Sequence, residues 1–182
     1  MKNQSNLNKL KLVAVLAMLA ALSIITGKYL AIRGGDVLRF SLENMPIIFA
    51  GMAFGPIAGL SVGVVADLVG CIMVGYTINP VVTLGAAAIG LVSGAAYSLL
   101  KKTRMHPTLI TAVTVFFAHL IGSLLIKTPG LAAYYDMPFG ILLLWRTLNY
   151  AVVGVIDGAL VHILLRNKGI RMQIKEIGGK VD

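Results

Sequence analysis

Charged residues are scarce in this sequence. Only 13% of its 182 residues are Asp, Glu, Lys or Arg, whereas 58% are of hydrophobic type and the mean hydropathy is +0.88. A soluble domain typically carries about 25% charged residues, and a small domain leaves much of its surface in water. This composition excludes a soluble fold and predicts an integral membrane protein.

Cysteine and nucleotide-binding motifs are also lacking. Cys71 is the sole cysteine, which excludes an intrachain disulfide and a thiolate metal cluster. No Gly-x4-Gly-Lys-Ser/Thr motif occurs, so the chain does not hydrolyse nucleotides through a P-loop. The three histidines have no metal-ligand spacing, and we predict neither a metal nor a cofactor. Active transport would need an ion gradient or a separate ATPase.

Long apolar runs dominate the rest of the chain. Since a spanning helix needs roughly 20 mostly apolar residues, we predict a single all-α membrane domain over residues 1–182. The first run resembles a secretory signal, but no small-x-small site closes it, so we expect it to remain a transmembrane helix. The six predicted spans are residues 10–26, 41–54, 56–74, 81–100, 109–126 and 139–165, with a tight turn at Gly55-Pro56.

Lysine and arginine are distributed unevenly between the predicted connections. Eleven of the sixteen lie in the amino-terminal segment, the fourth connection or the carboxyl-terminal tail, which share one face of a six-span bundle. The positive-inside rule therefore predicts that both termini are cytoplasmic, in the cell membrane. The other five lie on or near the outer face, where we expect them to bind an anion: Lys28, Arg33, Arg39, Lys127 and Arg146.

Polar and aromatic residues cluster toward the outer ends of the predicted spans. Arg146 and Asn149 lie within a span, where a belt of interfacial aromatic residues does not explain them. Aromatic faces stack on rings and guanidinium groups bind carboxylates, which indicates a site for a planar, anionic small molecule. The candidate substrate-binding residues are Lys28, Arg39, Glu43, Asn44, Tyr76, Asn79, Lys127, Tyr134, Tyr135, Arg146 and Asn149.

Small residues recur at four-residue spacing, which marks faces where membrane helices approach closely. The glycine stripes are Gly51/Gly55/Gly59/Gly63, Gly90/Gly94 and Gly154/Gly158. A further stripe, Ala14, Ala17 and Ala21, packs internally or faces a partner protein. The run Gly59-Leu60-Ser61-Val62-Gly63 matches a hydrolase nucleophile elbow, but it lies inside a span and we interpret it as packing.

Two acidic residues, Asp67 and Asp157, lie near mid-depth of their predicted spans. A carboxylate facing lipid is costly, so both are expected to face the interior. They either form hydrogen bonds between packed helices or act as a proton or sodium relay. The second role would make the protein a stand-alone ion-coupled carrier.

The residues around the second predicted span form a recognisable pattern. Residues 38–48, Leu-Arg-Phe-Ser-Leu-Glu-Asn-Met-Pro-Ile-Ile, resemble the substrate-binding S components of energy-coupling factor (ECF) vitamin transporters. The similarity covers nearly the whole chain and is weakest after Arg166. It is greatest to the folate-specific subfamily, in the segments 28–32 and 138–146. Further matching residues are Ala50-Gly51, Phe54-Gly55-Pro56, Gly63, Ala66-Asp67, Asn79-Pro80 and Thr83-Leu84-Gly85.

The resemblance implies a six-helix fold whose substrate pocket lies on the outer side, closed by the first and third outer loops. It implies a folate-binding subunit rather than an enzyme. The alanine motif of the family maps to Ala17 and Ala21, with Ala14 beside them, and docks on a transmembrane coupling subunit. Two ATPase subunits complete such transporters, and the S component is thought to topple in the membrane to release its vitamin.

One position departs from the folate pattern. Folate-type members usually carry arginine where this chain has Lys28. Lysine keeps the charge but loses the bidentate fork of a guanidinium group. An S component for another vitamin or anionic heterocycle therefore stays open as an alternative.

Overall fold

The structure is a computed structural model, and it describes residues 2–34 and 38–179. Helices dominate, as predicted, and the only strands in the described ranges form one short antiparallel hairpin in which Arg33 pairs with Arg39. The strands are β1 (Ile32–Gly34) and β2 (Leu38–Phe40). The helices are α1 (Lys2–Ile24), α2 (Asn44–Phe54), α3 (Pro56–Val74), α4 (Pro80–Leu100), α5 (Pro107–Ala118), α6 (Thr128–Tyr135), α7 (Phe139–Arg166) and α8 (Lys168–Glu176).

The helices alternate in direction, so the bundle has two distinct ends. The end that carries the β1–β2 hairpin is called the hairpin end, and the end at which α1 begins and α8 lies is called the terminal end. Helix α4 packs against α2, α3 and α5, while α7 packs against α5 and α2. The hairpin end brings together the segments that the sequence predicted to lie outside.

Five helical segments in the described part of the chain are long and apolar enough to cross a membrane: Asn6–Tyr29, Pro56–Val74, Pro80–Leu100, Pro107–Tyr134 and Phe139–Arg166. The remaining predicted span, 41–54, was too long at its start, because its helix begins only at Asn44. At 11 residues, α2 covers about 16 Å, roughly half of the hydrocarbon core. It is an interior helix, since Ile48 and Ala50 are fully buried.

The predicted end of the fifth span at residue 126 was wrong. Helical structure continues from α5 through a π-helical segment (His119–Lys127) into α6. Pro129 has no amide hydrogen, and its ring would clash with the carbonyl four residues earlier in a regular α-helix. The wider turns before it avoid that clash, and the Thr128 hydroxyl donates to the Ser123 carbonyl at 3.0 Å. A shorter π-helical turn, Ile25–Tyr29, extends α1 in the same way.

The first two glycine stripes bring α2, α3 and α4 into backbone contact, as predicted. A Cβ atom added at Gly90 would coincide with the Gly59 carbonyl group, and one added at Gly63 would coincide with the Ala86 carbonyl oxygen. Between α2 and α3 the single residue Gly55 has a φ of 106°, a conformation that side chains disfavour. The predicted tight turn at Gly55-Pro56 is therefore confirmed.

Helix α8 was missed by sequence reasoning, which treated the tail only as a basic segment. It is amphipathic: Ile174 is 3% exposed and joins the core, whereas Met172 is 71% exposed. The Asn167 side chain accepts hydrogen bonds from the first amides of α8. Lys11 donates to Glu176 at 2.9 Å, and this hydrogen bond and the lysine charge lower the pKa of Glu176. Helix α8 thus closes the terminal end of the bundle.

Candidate substrate site

Four ionisable side chains from distant parts of the chain line one small cavity near the hairpin end. Lys28 comes from the turn after α1, Glu43 from the residue before α2, Asp67 from α3 and Lys127 from the end of the π-helical segment. The cavity measures about 10 Å³, enough for about one water molecule. Two cations and two carboxylates therefore face each other at close range in a setting of low dielectric.

Lys127 and Glu43 form an ion pair across this cavity. The ammonium of Lys127 lies 3.5 Å from a Glu43 carboxylate oxygen, and the lysine side chain is 5% exposed. Two glycines make room for the pair: a Cβ atom at Gly85 would coincide with Cγ of Lys127, and one at Gly27 would lie 2.7 Å from Cβ of Glu43. Ser23 donates to the Glu43 carbonyl at 2.6 Å, so the backbone of Glu43 is also held in place.

Lys28 lies on the opposite side of the cavity. Its ammonium is 3.8 Å from the sulfur of Cys71 and 5.7 Å from the centre of the Tyr76 ring, a distance at which a cation is attracted to an aromatic face. Its stem passes Gly70, where an added Cβ atom would lie 2.9 Å from Cε of the lysine. Lys28 and Tyr76, both predicted site residues, are thus brought together.

Asp67 belongs to the cavity although the predicted substrate-binding set omitted it. Its carboxylate accepts a hydrogen bond of 2.6 Å from the Thr83 hydroxyl, which joins α3 to α4, and the residue is 9% exposed. The sequence did contain a signal, because an acidic residue within a span is expected to face the interior. The sequence could not show that it shares a cavity with Lys28 and Lys127.

Arg146 is connected to the residues around the cavity by a hydrogen bond to Thr128, the residue that follows Lys127. Its Nε donates to the Thr128 hydroxyl at 2.9 Å, and its Nη2 donates to the Tyr150 hydroxyl at 2.8 Å. The guanidinium carbon also lies 5.2 Å from the centre of the Tyr150 ring. These contacts explain how an arginine is accommodated within a predicted span.

A buried histidine–aspartate pair continues from Tyr150 toward the middle of the bundle. The rings of His119 and Tyr150 lie 5.1 Å apart, and Nε2 of His119 is 3.1 Å from the Asp157 carboxylate. The other ring nitrogen lies 3.4 Å from the Ser123 hydroxyl. The pair links the π-helical segment to α7, which agrees with the interhelical hydrogen bonding considered for Asp157.

The remaining predicted site residues have different positions. Asn44 is 1% exposed, and its side-chain oxygen has no partner among the described residues. The Asn79 side chain accepts from the amide of Val81 at 3.0 Å and so caps α4. Asn149 is buried at 8% exposure, and Tyr134 is 49% exposed. The side chains of Arg39 and Tyr135 lie outside the described part of the structure.

Ser61 does not occupy a hydrolase site. Its hydroxyl donates to the Ile57 carbonyl of its own helix at 2.9 Å, and the residue is on the exposed face of α3. The glycines around it pack against α4, as described above. The resemblance to a nucleophile elbow is therefore a consequence of glycine packing.

Three solved structures share this arrangement of helices. FolT bound with folic acid is 18% identical, with a TM-score of 0.66 over 82% of this chain and 89% of that chain. The S component for biotin from an ECF-type ABC transporter is 20% identical, with a TM-score of 0.67 over 92% and 97%. The S component of a bacterial ECF transporter is 18% identical, with a TM-score of 0.62 over 86% and 96%. At these identities the likeness shows the fold alone.

The fold and its five long apolar helices define a multi-pass membrane protein. Residues 11–165 match the family of ECF transporter substrate-specific components, and the chain belongs to that family. No curated protein matches the sequence significantly. As an S component the chain is the substrate-binding subunit of an ECF transporter and is not itself an enzyme.

Proposed function

We propose that this S component binds folate and delivers it to an ECF importer. The observation that supports this most directly is the cavity lined by Lys28, Glu43, Asp67 and Lys127. Folate combines two carboxylates with a planar ring that carries amide and amino donors. The site offers both complements: ammonium groups for the carboxylates and carboxylates for the ring donors.

Arg146 and the aromatic side chains extend this match. A guanidinium group beside Lys127 suits the second carboxylate of a dicarboxylic acid, since arginine binds carboxylates in bidentate fashion. Tyr76 and Tyr134, which are 41% and 49% exposed, offer faces on which a ring can stack. The proposed substrate-binding set otherwise follows the sequence prediction, with Asp67 added.

Substrate entry requires movement at the hairpin end. A cavity of about 10 Å³ is far smaller than a vitamin, whose sites measure about 300–1,000 Å³. The ion pair between Lys127 and Glu43 joins the segment that follows the β1–β2 hairpin to the residue that precedes α6. We expect the β1–β2 hairpin and α6 to move apart on binding, in line with the loops that close the pocket in this family.

The alternative substrate is another vitamin or anionic heterocycle. Lys28 favours it, because an ammonium group cannot reproduce the fork of the arginine usual in folate-type members. The similarity to a biotin S component at 20% identity, beside 18% for FolT, favours neither substrate.

The alanine stripe is the proposed docking face for the coupling subunit. Ala14, Ala17 and Ala21 are all exposed on α1, where small side chains allow close approach of another helix. A coupling subunit and two ATPase subunits would then supply the ATP hydrolysis that this chain lacks. In the cell membrane we place both termini in the cytoplasm by the lysine and arginine count, with the hairpin end outside.

Calorimetry on the purified chain tests the substrate. Folate should bind without added sodium and without a proton gradient, and mass spectrometry of the purified protein should identify folate as the co-purified small molecule. Biotin serves as the comparison ligand. Binding of biotin and not folate would replace the proposed substrate, whereas uptake by this chain alone in liposomes, driven by an ion gradient, would favour the carrier that uses Asp67 or Asp157.

A further inference from the structure

A long groove runs between α5 and α7, on a different side of the bundle from the cavity around Lys127. Its volume is about 610 Å³, and it extends from Thr108 to Leu124 along α5 and the π-helical segment. That length of helix is about 24 Å, most of the roughly 30 Å hydrocarbon core. Its rim residues are exposed, among them Phe116 at 61% and Val155 at 72%, so the groove opens toward lipid.

Two glycines of α7 form part of this groove. A Cβ atom added at Gly154 would have Cδ2 of His119 as its nearest neighbour at 3.6 Å, and one at Gly158 would meet Cγ2 of Val115 at 3.9 Å. Both are ordinary contact distances, unlike the backbone overlap found at Gly90. Of the three glycine stripes, this one is therefore not covered by a neighbouring backbone within the described ranges.

The volume of the groove decides what kind of molecule can fill it. A helix about 10 Å wide and 24 Å long occupies roughly 1,900 Å³, about three times the space available. An acyl chain about 5 Å wide that crosses one leaflet of about 15 Å fills roughly 300 Å³. The groove can therefore enclose one or two acyl chains, but it cannot enclose a transmembrane helix.

Two polar residues, Thr108 and His162, line the groove at its terminal end, whereas His119, Thr147 and Tyr150 line it farther toward the hairpin end. The Thr108 hydroxyl is 3.3 Å from Nε2 of His162, and both residues line the groove. Arg166 and His106 lie within electrostatic range of His162, and Arg166 is exposed at the end of α7. Among the described residues, no acidic side chain lines the groove. This charge suits a phosphate group at the level of the membrane surface.

We propose that this groove binds one phospholipid with an anionic headgroup. Its phosphate lies beside Arg166, His106 and His162, and an acyl chain lies along Gly158 and Gly154. The groove shares no lining residue with the cavity around Lys127, although Tyr150 of the groove accepts a hydrogen bond from Arg146, and the proposed headgroup contacts lie at the terminal end. It can therefore be tested whether or not folate is the vitamin.

Native mass spectrometry of the full chain, released from vesicles of equal parts phosphatidylglycerol and phosphatidylcholine, tests the site. The wild-type chain should retain one phosphatidylglycerol molecule. Gly158→Leu should fill the groove and reduce retention about tenfold, as expected when a chain loses its apolar contacts. Gly140→Leu is the matched control, because the same change on the same helix meets nothing within 4 Å and lies outside the groove.

A second pair of variants tests the headgroup and guards against misfolding. Arg166→Gln should keep a bound lipid but lower the preference for phosphatidylglycerol about fivefold, whereas Lys168→Gln should not. If Gly158→Leu does not fold, Ala159→Phe, on the exposed edge of the groove, replaces it. The proposal is overturned if wild type retains no lipid, if retention survives filling of the groove, or if both lipids bind equally. It is also overturned if cysteines introduced into the groove crosslink to a coupling subunit.

Discussion

The ammonium group of Lys127 lies 3.5 Å from the carboxylate of Glu43, and this contact fastens the start of α2 to the end of the π-helical segment. The lysine side chain is 5% exposed, and a buried ammonium group needs a charged or strongly polar partner. The pair thus joins the segments beside the β1–β2 hairpin and α6, which we propose to move apart on substrate entry. It also places an ammonium group where a carboxylate would bind.

A double-mutant cycle measures this coupling. Lys127→Met and Glu43→Gln should each lower the free energy of unfolding by about 1.5–3 kcal/mol, the range for hydrogen bonds to charged groups. The double variant should be destabilised by less than the sum, because neither partner is then left alone. Thermal unfolding in detergent micelles provides the measurement. Additive effects would show that the two side chains do not stabilise each other.

Arg146 should contribute to substrate affinity and not only to packing. Arg146→Ala leaves substrate carboxylates without their guanidinium partner, and we expect the dissociation constant for folate to rise about 10- to 100-fold. Arg146→Lys keeps the charge but loses the bidentate geometry of the guanidinium group. Its dissociation constant for folate should therefore lie between those of wild type and Arg146→Ala. Arg171→Ala, a change of the same kind on α8 at the other end of the bundle, serves as the control. Unchanged affinity in calorimetry would remove Arg146 from the site.

Gly90 should tolerate no side chain, since the Gly59 carbonyl group occupies the position of its Cβ atom. Gly90→Ala forces α3 and α4 apart, and overpacking of this kind costs about 1–3 kcal/mol. Gly140→Ala on α7 adds the same methyl group where nothing lies within 4 Å, so its stability should stay equal or rise slightly. Comparison of the two melting temperatures checks this expectation. Equal melting temperatures would mean that the helices do not meet at Gly90.

The sequence predicted the order and approximate positions of the long apolar helices, because each apolar run is long and most breaks are marked. Gly55-Pro56 interrupts the apolar pattern between α2 and α3, and Asn79-Pro80 marks the start of α4. The continuation past residue 126 could not be predicted in this way. Lys127, Thr128 and Pro129 have the composition of a helix end, and only the backbone of the folded chain shows that the helix passes through them.

For the candidate site, the sequence indicated which residues to consider but not which of them contact each other. Lys28, Glu43 and Lys127 were identified because cations and amides accumulate at one end of the predicted bundle. Their convergence with Asp67 depends on how far along the bundle α3 places this residue. It also depends on the close approach that Gly27 and Gly85 allow. Neither can be read from spacing in the sequence. The cap that the Asn79 side chain forms at the start of α4 was not predicted either.

The exposed alanines of α1 should be needed for transport but not for substrate binding. Replacing Ala17 and Ala21 by tryptophan adds bulk where a partner helix would approach closely, so uptake by cells with a complete ECF module should be abolished. Substrate affinity of the purified variant should match wild type, because these side chains point away from the core. Leu22→Trp is the matched control: it is also exposed, at 40%, but lies about 100° around the helix from Ala21. Normal uptake by the double variant would place the docking face elsewhere on the bundle.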